Sequence, residues 1–165
     1  MIAVVGHGDL TTEALALLES ELRSRLAAFA KAGRVGLVRV GQGLPVAVGR
    51  AARAAGMALV TVLPSKAGLP ALLRTPDHKA AGELLMLSQQ VRLVDFDPAD
   101  HDSCVRADES LLRACARVLA VWDGSPPNAR DVTAHLVAFA RARGIEVDVL
   151  WPVGAVRTSP QDVRS

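Results

Sequence analysis

Val118-Leu119-Ala120-Val121-Trp122-Asp123-Gly124 is an apolar run that ends in an acid and a glycine. Ser125-Pro126-Pro127-Asn128 then leads into a helix-patterned stretch from Asp131. A strand that stops at such a turn beside a helix start is how open α/β sheets build ligand sites. Ligands sit beyond the carboxyl ends of parallel strands, where backbone N–H groups at a helix start receive an anion.

The same alternation runs through the chain. Strand-length apolar runs fall at 2–5, 35–40, 58–63, 91–94, 118–122 and 145–150. Helix-length segments fall at 12–31, 44–55, 80–89, 103–116 and 131–143. In the first helix Leu15, Leu18, Leu22, Leu26 and Phe29 recur at three- and four-residue steps. Asp9, Thr11 or Thr12 is in place to cap it, and Gly33 to end it. Residues 65–79, with two prolines and a glycine, read as a long loop carrying a short helical turn. Residues 95–102 read as an acidic turn. The strands are near-continuous hydrophobic runs, as expected for a parallel sheet covered on both faces. The fold expected is a Rossmann-like, doubly wound α/β domain over residues 1–152. Residues 153–165 lack pattern and are expected to form a loose tail.

Composition narrows the function. At 165 residues a single domain with one core is expected. Half the residues are hydrophobic, but only three Phe, two Trp and no Tyr are present, which argues against a stacking surface for single-stranded nucleic acid. A net charge of +2 without a basic block argues against tracking a phosphate backbone. No apolar run approaches the ~20 residues that span a bilayer, and Met1 leads directly into a strand rather than a signal peptide. The expectation is a cytoplasmic protein with neither nucleic-acid nor membrane partners. Cys104 and Cys115 are placed in one helix, roughly 16 Å apart along its axis, too far for a disulfide. No metal-ligand spacing surrounds them, and no cofactor is expected.

Three glycine-bearing turns follow strands: Gly6-His7-Gly8-Asp9, Gly41-Gln42-Gly43 and Asp123-Gly124. In a parallel sheet all three emerge at the carboxyl edge and converge on one crevice. A backbone without Cβ approaches a phosphate or sugar closely, although any tight turn after a strand also favours glycine. Two roles are open for His7: a hydrogen bond to a phosphate or base, or orientation of its own turn. Asp9 reads as a helix cap before a ligand contact. Arg39, near the end of an apolar strand, is either an anion partner in the crevice or, on an edge strand, simply solvated. Asp123 is a candidate for a ribose hydroxyl or base edge, or a turn-former; Trp122 is core or pocket wall. Asn128 or Asp131 caps the last helix, where Arg130 and Thr133 are placed to meet a phosphate. Asp131 opposes an anion there, because it already occupies the positive end of the helix dipole.

Together these pieces resemble the SLOG superfamily, the Rossmann-like relatives of the DprA/Smf and Lonely Guy proteins. The matching residues are Val4-Val5-Gly6-His7 with Asp9-Leu10-Thr11, the turn and helix from Gly41 to Ala54-Ala55-Gly56, Leu63-Pro64, and Ala120-Val121-Trp122-Asp123-Gly124. Thr133-Ala134, Val137 and Ala140-Arg141 continue the likeness across most of residues 2–150. The resemblance implies a usually oligomeric protein that binds nucleotides or their derivatives.

The departures are specific. Asp131-Val132-Thr133 stands where the family carries a Gly-Gly-Thr phosphate turn, and the catalytic acids of the Lonely Guy phosphoribohydrolases fall at His135 and Leu136. Gln42, Leu44 and Pro45 replace a Gly-Ala-Asp pattern. A carboxylate stabilises the cationic sugar formed as an N-glycosidic bond breaks; imidazole and leucine are poor replacements. The reading is a binding protein for a nucleotide-like ligand without efficient catalysis. One alternative is a nucleoside-monophosphate hydrolase drawing its acid from Asp123, Asp9, the 95–108 region or a neighbouring subunit. Another is an oligomeric domain whose crevice is vestigial. The ligand-binding residues expected are Gly6, His7, Arg39, Gly41, Gly43, Asp123, Gly124, Arg130 and Thr133.

Overall fold

The computed structural model describes residues 1–158. Its elements follow the sequence pattern closely: β1 (Ile2–Gly6), α1 (Thr12–Lys31), β2 (Gly36–Arg39), α2 (Leu44–Ala55), β3 (Leu59–Lys66), β4 (Leu69–Pro70), α3 (His78–Leu87), β5 (Gln90–Asp95), α4 (His101–Arg113), β6 (Arg117–Val121), α5 (Thr133–Ala142) and β7 (Glu146–Leu150). Six strands run parallel in the order β5-β3-β2-β1-β6-β7. β4 adds a two-residue antiparallel pair at the far end of β3. This is the Rossmann-like α/β sheet that the apolar runs imply.

Alternate residues of each strand feed two separate cores. Ile2, Val4, Val38, Leu59, Leu119 and Val121 pack with the Leu18, Leu22 and Leu26 stripe of α1, with α2, and with Leu84 of α3. Ala3, Leu37, Val60, Val62 and Val118 pack with Leu111 and Leu112 of α4 and Leu136 and Ala140 of α5. Both faces of the inner strands are dry, which is why their sequences lack polar alternation.

The chain leaves β1 toward β2, β3 and β5, then returns to place β6 on the other side of β1. The strand order therefore reverses between β1 and β6, whose ends are in register at Gly6 and Val121. In open α/β sheets the crevice opens at that reversal.

Element ends differ from expectation where tertiary contacts intervene. β3 continues through Pro64 to Lys66, because β2 has already ended at Arg39 opposite Val62 while β5 keeps pairing as far as Asp95. α5 begins at Thr133 rather than Asp131, whose side chain is engaged elsewhere. α4 stops at Arg113, so Cys115 lies beyond the helix; both cysteines are free thiols. Of the three candidate caps of α1, Thr11 takes the position, its hydroxyl accepting from the Ala14 N–H at 3.1 Å. Thr11→Ala is expected to cost about 1 kcal/mol, read as a lower urea midpoint, with Thr11→Ser close to wild type. Of the expected loose tail, residues 153–158 are described and are tied to the start of α1: Thr11 N–H donates to the Val156 carbonyl, and Leu10 bridges Arg157. Residues 159–165 lie outside the described residues. No helix among the described residues is long and apolar enough to cross a membrane.

Candidate functional site

His7 stands at the reversal point, immediately after β1, and is 2 % exposed. Its backbone N–H donates to the Val121 carbonyl, extending the β1–β6 ladder by one step. Its ring packs edge-on against Trp151, with centroids 5.7 Å apart. Nδ1 lies 2.5 Å from Asp131 Oδ2, and Nε2 lies 3.0 Å from Asp123 Oδ1 and 3.2 Å from the Asp123 backbone nitrogen. Both acids belong to the segment between β6 and α5, so His7 clips that segment to β1.

A second cation joins the cluster. Arg157 donates to Asp9 Oδ1 at 2.8 Å, to Asp131 Oδ2 at 3.1 Å and to the Ser125 hydroxyl at 3.0 Å, and lies 3.5 Å from Asp123 Oδ2. Asp123 also accepts from Ser125 N–H, and Asp131 from Thr133 N–H. Burial alone would favour neutral forms throughout. It is the largest single influence on Asp131, yet the bonds from His7 and Thr133 outweigh it and hold the carboxyl at about 2. Asp123 is likewise held well below the usual carboxylate range by Ser125 and His7, against its burial. Burial also works against an imidazolium at His7, but Asp131 and Asp123 raise its pKa above the ordinary value. The result is a connected network of the Arg157 guanidinium, the His7 ring and three carboxylates.

Beside this network, at the carboxyl edge of β1 and β2 and bounded by α4 and α5 on one face and by the start of α2 on the other, lies a cavity of about 610 Å³. Its buried wall is apolar, with Leu37, Phe96, Leu111, Leu112 and Leu136; Arg74, Asp77, His101 and Arg130 are on its rim. Arg39 reaches its side from β2. β2 is an inner strand, so the solvated-edge alternative does not arise. Instead Arg39 donates to both carboxylate oxygens of Asp108, at 2.6 and 3.2 Å, and lies over the Phe96 ring at 5.8 Å. Asp77 pairs with Arg74. The Arg130 guanidinium has no ion-pair partner among the described residues, and its exposed side chain lines the cavity. The Cys104 thiol also lines it; burial pushes its pKa up, so it stays protonated rather than nucleophilic.

Of the residues expected from sequence, Gly6, His7, Arg39, Gly41, Arg130 and Thr133 line this cavity. Gly43, Asp123 and Gly124 do not. Gly43 takes φ 71° as the N-cap of α2 and faces a separate groove between α1, α2 and α3. Asp123 lies behind His7, and Gly124 turns the chain at φ 85°. Gly6 is required by packing as well: a Cβ there would sit 2.6 Å from Leu44 Cδ2 and 2.7 Å from the Val121 carbonyl oxygen. Asn128 caps its own loop, accepting from the N–H groups of Arg130 and Asp131, not the helix. α2 starts without a side-chain cap, and Gly41, Gln42, Leu44 and Pro45 at its start form part of the cavity wall. The open helix start at the cavity is therefore that of α2; at α5, Asp131 already accepts from Thr133.

Two polar residues escaped the sequence reading for different reasons. Asp108 lies on the buried stripe Ala107, Asp108, Leu111, Leu112, and an acid at a core-facing helical position is a legible signal. Arg157 sits in a stretch without periodicity and carries no local signal. His7, Asp9 and Asp131 bring one ligand atom each within 4.8 Å of one another, a spacing that suits a metal ion, but the cation among those acids is the Arg157 guanidinium.

No protein-family model matches the sequence, and no curated protein matches it either. Among solved structures the chain is similar to the molybdenum cofactor carrier protein of Chlamydomonas reinhardtii, with 19% identity and a TM-score of 0.55 over 92% of this chain and 77% of that one. An uncharacterized protein of Agrobacterium tumefaciens C58 aligns at 16% identity over 90% of this chain and 61% of its own, with a TM-score of 0.24, too low to bear on the fold. The first likeness agrees with the Rossmann-like sheet.

Proposed function

We propose that the protein binds a small anionic ligand, a nucleotide or nucleotide derivative, in the cavity at the reversal of strand order, and holds it without efficient catalysis. The observation that carries this reading is the pairing of every carboxylate on the cavity wall. Asp108 is held by Arg39, Asp77 by Arg74, and Asp131 by His7 and Arg157. The uncommitted charge on the rim is then the Arg130 guanidinium, and the start of α2, which has no side-chain cap, lines the same cavity, an arrangement that favours an anion. A volume of about 610 Å³ suits one small molecule, and the apolar wall suits a ring system.

The paired carboxylates also weigh against N-glycosidic hydrolysis, which needs a carboxylate free to face the developing sugar cation. Where the SLOG resemblance places catalytic acids, Leu136 forms apolar wall and His135 is bound to Glu109 at 2.8 Å. The likeness to a cofactor carrier supports a protein that holds a ligand rather than one that transforms it. Homo-oligomerisation, implied by the SLOG resemblance, belongs to the same reading; a monomeric mass in solution would count against it.

Thermal melts with a panel of nucleoside mono- and diphosphates test the proposal. At about 100 times Kd, a ligand contributes about 2.7 kcal/mol, which is roughly 5–10 °C for a chain of this size. No shift across the panel would sink it. Arg130→Ala is expected to weaken a phosphorylated ligand about tenfold or more by titration calorimetry, the loss of one charge-assisted hydrogen bond.

A further inference from the structure

We infer that Arg157, carried by the segment after β7, is the charge-compensating residue that makes this acid-rich crevice fit for an anion. The inference rests on the reading of an anionic ligand in the cavity. Asp131 lines that cavity at the start of α5, where it would repel a phosphate, and Asp123 and Asp9 stand behind it. Among the described residues Arg157 is the one side chain that reaches all three, at 3.1, 3.5 and 2.8 Å. His7 supplies a second positive charge to two of them, but only while its ring is protonated. A guanidinium stays charged at every working pH, and its planar fork serves several carboxylates at once.

The segment that carries Arg157 is fastened mainly by polar contacts. Thr11 donates to the Val156 carbonyl through both its N–H and its hydroxyl, and Thr158 N–H donates to the Asp9 carbonyl at 2.6 Å. Val153 and Val156 are 98% and 59% exposed, so their side chains add little apolar anchorage. Trp151 and Pro152 anchor the start of the segment in the fold, and beyond them its principal side-chain contribution to the rest of the molecule is the Arg157 charge. Removing it leaves Asp131, on the wall where the anion is to sit, and Asp123 behind it with His7 as their one remaining cationic partner among the described residues, and Asp9 with none. Arg157 acts through Asp131 and is a positioning residue.

The test compares adenosine monophosphate with adenosine, and guanosine monophosphate with guanosine, on wild type, Arg157→Ala and Arg157→Lys by calorimetry. At about 0.02 M salt, Arg157→Ala is expected to weaken the monophosphates about tenfold or more and to leave nucleoside affinity within about twofold, with Lys restoring part of the loss. Between about 0.02 and about 0.5 M salt, monophosphate affinity falls for wild type but stays flat or rises for Arg157→Ala, because screening then relieves repulsion. Nucleotide and nucleoside losses of equal size, or a monophosphate loss unchanged by salt, would show that Arg157 only holds the fold and would overturn the inference. A wild-type protein that binds none of the four probes removes the ligand reading itself, and the inference with it.

Discussion

His7→Ala is expected to destabilise the protein by about 3 kcal/mol at pH 6, lowering the melting temperature by roughly 6–12 °C. The ring is buried and bonded through both nitrogens, and it joins the end of β1 to both ends of the β6–α5 segment. Breaking a buried ion pair by removing one member typically costs 3–5 kcal/mol. The lower end is expected here, because Asp131 and Asp123, at 11% and 24% side-chain exposure, keep Arg157 and backbone donors.

The pH dependence has a definite sign. The folded-state pKa of His7 is raised above 6.5, so its charge-dependent stabilisation is complete below about pH 6.5 and is lost as pH rises through the folded value. Asp131 is lowered from 3.8 to about 2, so its contribution is present above about pH 4 and lost as pH falls through about 2. Between those windows the pair works at full strength. Urea unfolding of wild type and His7→Asn from pH 5 to pH 9 checks this: the gap should narrow on the alkaline side. A gap constant over that range would mean that the ring has the same pKa folded and unfolded, and a gap that widens with rising pH would mean that it is neutral in the folded protein. The ring keeps its place once neutral, since Nδ1–H still donates to Asp131 and Nε2 accepts the Asp123 N–H.

Gly6→Ala is expected to cost about 3 kcal/mol, at the upper end of overpacking effects. Its new methyl would lie 2.6 Å from Leu44 Cδ2, 2.7 Å from Val121 Cβ and 2.7 Å from the Val121 carbonyl oxygen. Leu44 can turn aside; a carbonyl that is itself accepting the His7 N–H cannot move without parting β1 from β6. The same displacement would pull His7 from its acids, so the variant should also lose part of the alkaline-side pH dependence. Gly8→Ala is the matched control. Nothing lies within 4 Å of a Cβ at Gly8 and its φ is not in the left-handed region, so it should melt within about 0.5 kcal/mol of wild type. Equal melting of the two variants would refute the close-packing account of Gly6.

The crevice was legible because local pattern fixed its walls. Val118–Val121 reads as a buried strand, Ile2–Val5 as another, and the residues after each must emerge at the same edge if the strands are parallel. The Leu18, Leu22, Leu26 stripe likewise assigns one helix to one face. What pattern could not supply was the partner of each charge. Arg39 reads as an anion ligand until Asp108 is seen beside it, and Asp131 reads as a residue hostile to phosphate until His7 and Arg157 are seen to hold it.

Periodicity along this chain determined its strands, its helices and the edge where its turns meet, because backbone geometry over a few residues sets which side chains share a face. The charge of that edge was decided only by the folded chain. His7 and Asp131 are 124 residues apart in sequence, and Asp9 and Arg157 are 148 apart. Ion pairs of that separation depend on where the sheet reverses its order and where the chain returns after β7, and no local pattern encodes either.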